Sequence, residues 1–138
     1  MTNISEVITK LYDNTKNAIY HWVSLRSYQS QEFNNVLRDY IIKNQKKYYS
    51  AGWRDNSAYL DEQNSYALKT KNGGMFALLS YEYDNLTYYI LVAQKTSYGK
   101  IVELNVQEEL QEELRKLSIL VAEQCDSIDD FLRDFLCE

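Results

Sequence analysis

Apolar residues at Ile4, Val7, Ile8, Leu11, Ala18, Ile19, Trp22 and Val23 recur in steps of three and four, which puts one buried stripe along a helix. Asn3, with Glu6 three positions on, supplies the reciprocal side-chain caps that a helix start needs. The pattern predicts a first helix running to about Leu25. The run "RSYQSQ" then breaks the period, and Ser30 with Glu32 in the following turn marks a second start. Phe33, Val36, Leu37, Tyr40 and Ile41 share one face of that second helix, which is expected to stop near Ser50 with Gly52 just beyond. So short a link makes the two helices antiparallel neighbours.

In the middle of the chain the period becomes that of strands. "SYALKTKNGGMFALLSYEY" places Asn72-Gly73 between two runs of strand-forming residues, the strongest short-range hairpin signal. "YEYDNLTYYILVAQK" repeats the pattern around Asp84-Asn85, and "KTSYGKIVEL" does so around Gly99. These predict a three- to four-stranded antiparallel meander over 65–71, 75–83, 86–95 and 100–104. The central runs "MFALLSYEY" and "LTYYILVAQK" are apolar on both faces, so something must cover part of the second face as well as the first.

Asn105 with Glu108 again has the form of a capping box. Val106, Leu110, Leu114, Leu117, Val121, Cys125, Ile128, Leu132 and Phe135 then continue one seam. Residues 106–137 are either one long helix or two short ones, with Asp126 or Ser127 capping the second; a break there is the preferred form. The order is helix, helix, antiparallel sheet, helix or helices, which makes residues 1–138 a single α+β domain of about two layers.

A chain of 138 residues with 45% hydrophobic and 25% charged residues is that of a folded protein. No apolar run is long enough for a membrane helix, and "MTNISEVITK" lacks the basic start and apolar run of a signal peptide, so the cytoplasm is the expected compartment and no membrane partner is expected. Cys125 and Cys137 are twelve positions apart, about 18 Å along a helix, too far for a disulfide. Without a CxxC pair or neighbouring histidines they also make a poor metal site, and no metal or other cofactor is expected.

Charge is distributed unevenly. Residues 1–60 hold eight Lys/Arg and five Asp/Glu, residues 61–100 four of each, and residues 101–138 three and eleven. The last segment therefore carries –8 in a chain of net charge –5. Glu109, Glu112, Glu113, Asp129, Asp130 and Asp134 are the candidate docking residues for a protein partner with a basic surface, as in an acidic inhibitor or immunity-type protein. Within this run Glu112 is expected to pair with Lys116 at i,i+4.

A second reading uses "QKKYYSAGWRDN" and the helix before it. Arg38, Lys43, Lys46, Lys47, Tyr49, Trp53 and Arg54 combine cations with stacking aromatics, the ingredients of a single-stranded nucleic-acid site. The same lysines also suit the negative end of a helix dipole, and the chain is acidic overall. A third reading draws on the 13 tyrosines: Tyr81, Tyr83, Tyr88 and Tyr89 flank one hairpin, and a Tyr-rich sheet face suits a homodimer. No GxSxG, HExxH, P-loop or paired-histidine motif supports an enzyme, and the lone His21 reads as a helix-rim residue beside Trp22.

Overall fold

The two central strands are the longest, and their pairing organises the rest. The computed structural model describes residues 3–25, 37, 39–40, 59–61, 64–83, 86–96, 99–104, 108–125, 132 and 135–138. Helix α1 spans Ile4–Lys16, and Asn3 caps it by accepting the Ser5 N–H on its side-chain oxygen at 2.9 Å. The strands are β1 (Val23–Ser24), β2 (Tyr59–Leu60), β3 (Tyr66–Lys69), β4 (Met75–Tyr83), β5 (Leu86–Gln94) and β6 (Ile101–Glu103). A 3-10 turn at Glu108–Leu110 leads into α2, Gln111–Cys125. Leu37, Asp39 and Tyr40, and further on Leu132, Phe135 and Leu136, are helical in conformation. The predicted α+β class holds, with an antiparallel sheet and helices at both ends, while the details of both differ.

The sheet order is β1-β3-β4-β5-β6, with β2 paired to β4 as well. Strands β2 and β3 lie end to end along one edge of β4: Leu60 faces Tyr81, and Tyr66 faces Leu78. Of the residues between them, Asp61, Asn64 and Ser65 are tied to β4 through two serine hydroxyls. The Ser65 hydroxyl donates to Asp61 O and accepts the Ser80 N–H, while the Ser80 hydroxyl donates to Asn64 O at 2.8 Å. Neither β1 nor β2 was expected, because a two-residue strand is too short to show a period.

Helix α1 also ends nine residues before its predicted limit at Leu25, at Lys16. Asn17 N–H bonds Asp13 O, Ala18 takes a left-handed φ of 60°, and Ile19 and Tyr20 both donate to Asn14 O. Those contacts satisfy the last carbonyls and turn the chain toward the sheet. Trp22 nevertheless reaches the core, from the connecting segment rather than from the helix, and His21 beside it is exposed. The stripe was real in its burial of Trp22 but not in its helical continuation.

Register assigns the central residues to two faces. Ala77, Leu79, Tyr81, Ile90 and Val92 point to one side, where Leu37 and Tyr40 pack on them. Tyr66, Leu68, Leu78 and Leu91 point to the other, under Ile8, Leu11, Trp22, Leu114, Leu117 and Val121. The predicted two layers become three: Leu37 and Tyr40 lie on one face, and α1 and α2 on the other. Covering both faces explains why the central strands do not alternate cleanly between apolar and polar. Among the described residues, no helix is long and apolar enough to cross a membrane.

Candidate functional site

Helix α2 is held at both ends by glutamine side chains that stand in for peptide groups. Gln111 accepts the Tyr89 N–H on Oε1 at 3.0 Å and donates from Nε2 to Tyr89 O at 2.8 Å. Gln124 accepts the Trp22 N–H at 2.9 Å and donates to Tyr20 O at 2.7 Å. Gln111 thus acts as a strand partner for β5 beyond the end of β6, which pairs only with residues 92–94. Gln111→Ala or Gln124→Ala should each lower the unfolding free energy by about 1–3 kcal/mol, because two partly buried backbone groups lose their partners. Urea denaturation measures this; a change within error would show that water replaces the clip freely.

Between the clips, the inner face of α2 buries Leu114, Leu117 and Val121, leaving its charged residues outside. Glu109, Glu112 and Glu113 are all exposed, as is Glu108, and all four lie in the turns where the helix dipole favours negative charge. Two cations interleave with them. Arg115 grips Glu112 with two N–H donors, Nε to Oε2 at 2.9 Å and Nη2 to Oε1 at 2.6 Å, and Lys116 lies 3.9 Å from Glu113. Glu112 therefore pairs with Arg115 rather than with Lys116, because the guanidinium fork matches both carboxylate oxygens. The hydrogen bond from Arg115 holds the Glu112 carboxyl below its ordinary pKa, and the same bond raises that of Arg115. Such exposed pairs contribute little to stability and leave the carboxylates accessible to a competing cation.

The remaining predicted site residues lie outside the described residues: Asp129, Asp130 and Asp134 of the acidic set, and Arg38, Lys43, Lys46, Lys47, Tyr49, Trp53 and Arg54 of the nucleic-acid set. The tyrosines are divided by the register. Tyr81 is buried in the chain's own core, its cross-strand partner Tyr88 is exposed, and Tyr89 is half-buried against α2. Burial pushes the Tyr89 hydroxyl pKa up, against a hydrogen bond with Ser118 that lowers it. Cys125 is half-buried with Sγ 3.3 Å from Trp22 O, and Cys137 is exposed; neither forms a disulfide.

The fold also creates a feature that no local sequence pattern announced. A groove of about 780 Å³ opens between α1, the β3–β4 turn and the end of the sheet where β5 meets β6. Its floor includes Leu11, Phe76, Ala93 and Val102, and Ile19 stands at its side. Lys10 comes from α1, Lys71 from the β3–β4 turn, and Lys95 and Lys100 from the connection between β5 and β6. All four lysines are exposed, and the described lining residues include no carboxylate. A positive, partly apolar groove thus exists in an acidic protein. Compared with protein-family models, with curated proteins and with solved structures, the chain gives no match.

Proposed function

We propose that this chain is a non-catalytic binding module of the cytoplasm that occupies a basic surface on a protein partner, in the manner of an inhibitor or immunity-type protein. The docking surface in this reading is the acidic start of α2. The observation that carries it is the exposure of Glu108, Glu109, Glu112 and Glu113 within consecutive turns, on an element clipped to the rest of the fold at both ends. A surface held in place before binding loses less conformational freedom when it docks. Clustered charge of one sign speeds encounter with an opposite surface and penalises wrong partners. Arg115 and Lys116 fit this role as spacers that hold the carboxylates apart until a partner's cations replace them.

The test is affinity capture with the immobilised full chain from a lysate of the source organism, beside the triple variant Glu109→Lys, Glu112→Lys, Glu113→Lys. The expected result is a protein with a basic surface that is retained by the wild type, lost with the variant and eluted by salt. A partner retained equally by both proteins, or one recovered as nucleic acid, would contradict the reading.

A further inference from the structure

We propose that the lysine-rimmed groove receives the C-terminal segment, residues 128–138, of a second copy of this chain. The groove's shape follows from the register. Leu68, Phe76, Ala93 and Val102 form one row across the sheet on the face that carries α1 and α2. Exposure rises along that row, from Leu68 at 2% to Val102 at 52%. The helices cover β3 and β4 and leave the β6 end of the row open. Around this apolar strip the fold gathers Lys10, Lys71, Lys95 and Lys100 from separate parts of the chain.

The complementary surface is in the same sequence. "IDDFLRDFLCE" carries four carboxylates, at Asp129, Asp130, Asp134 and Glu138, against one cation, Arg133. Leu132, Phe135 and Leu136 are helical and stand 48%, 59% and 81% exposed. Their spacing of i, i+3, i+4 is that of the anchors by which an amphipathic helix enters an apolar groove. Three large apolar side chains so close together on a surface mark an interaction site rather than scattered exposure. Charge and apolar character match on both sides: a segment acidic in sequence with apolar anchors, and a basic rim with an apolar floor.

The groove's described lining ends at residue 102, and the anchors of the same copy are turned to solvent, which assigns the occupant to another copy. Each copy offers both this groove and this segment, so reciprocal exchange closes a two-fold dimer. The contact uses none of the α2 carboxylates, so it and the proposed function can fail independently.

Two measurements on the full chain test this. Sedimentation velocity over a range of concentrations should show a monomer–dimer equilibrium that shifts to monomer at high salt. It should also shift to monomer in Lys71→Glu/Lys95→Glu/Lys100→Glu and, separately, in Phe135→Ala/Leu136→Ala. A labelled synthetic peptide of residues 126–138 should bind the wild type and lose at least about tenfold in affinity for the lysine variant, as loss of several charge contacts implies. Circular dichroism of each variant confirms that it is folded. A chain that stays monomeric overturns the proposal, even if the peptide binds, since the segment then closes on its own copy. Dimers that persist in both variants overturn it by placing the interface elsewhere. Binding of dodecanoate without binding of the peptide overturns it by assigning the groove to a lipid anion.

Discussion

Leu91→Ala should lower the unfolding free energy by about 2–5 kcal/mol, and Val92→Ala by about 1.5–3 kcal/mol. These neighbours on β5 point to opposite faces, and each is fully buried, at 0% exposure. Leu91 packs with Leu78, Leu114 and Trp22 under the two helices, whereas Val92 packs with Ala77, Leu79 and Leu37 on the far side. In a sheet with one wet face, adjacent strand residues alternate between costly and neutral truncation. Here both should be costly, while Tyr88→Ala, at an exposed position on the same strand, should change stability much less. Guanidinium denaturation of the three variants measures this. A Val92→Ala protein as stable as the wild type would mean that the second face is not covered, and the three-layer architecture would be wrong.

Trp22→Ala is expected to be as damaging, at about 3–5 kcal/mol. The indole is 4% exposed and lies in the cluster shared by α1, α2 and the sheet. Its Nε1–H donates to Thr15 Oγ1 at 2.9 Å, and that hydroxyl donates on to Leu11 O at 2.6 Å. The Trp22 backbone is the anchor for Gln124 and for the Cys125 thiol, so the side chain and backbone together tie the end of α2 to the end of α1. Trp22→Phe keeps a ring in the cavity and leaves Thr15 its bond to Leu11, so it should cost roughly 1–2 kcal/mol. Thermal unfolding of both variants separates the packing contribution from that of the indole hydrogen bond. Equal losses for Phe and Ala would show that the hydrogen bond, rather than the volume, sets the cost.

What could be read before folding was whatever is local. The central strands were expected at 75–83 and 86–95 and are found at 75–83 and 86–94, because the turn residues Asn72-Gly73 and the strand-forming runs around them are decided within a few positions. Gly73 does adopt a positive φ, of 87°, in a loop closed by the Thr70 N–H to Gly74 O bond. The end of α1 at Lys16, short of the predicted limit, has the converse reason. Trp22 and Val23 kept helical spacing by coincidence, since Trp22 is placed by the cluster under α2 and Val23 by its pairing with β3, while Ile19 stands exposed in the turn that ends the helix. Asn14 and Asn17 were the available signals, as residues that tolerate a helix C-terminus.

Strands β1 and β2 exist only because the edges of β3 and β4 offer hydrogen-bond partners, which no window of the sequence contains. The acidic face of α2 was legible, since neighbouring charges on one helix stay neighbours. The choice of Arg115 over Lys116 by Glu112 was not, because it turns on side-chain geometry at nearly equal spacing. The lysine groove was invisible in the same way as the edge strands. Lys10 and Lys100 are ninety positions apart in sequence, and only the sheet brings them to one groove.

In the proposed function, carboxylates on α2 direct the docking of a basic partner. The association rate of the captured partner, measured at low and at high ionic strength for the wild type and for Glu109→Lys/Glu112→Lys/Glu113→Lys, tests it most directly. The wild-type rate is predicted to fall by about tenfold or more as salt rises, and the variant to be slow at both salts, with dissociation much less affected. Association that is equally fast for both proteins and indifferent to salt would contradict it.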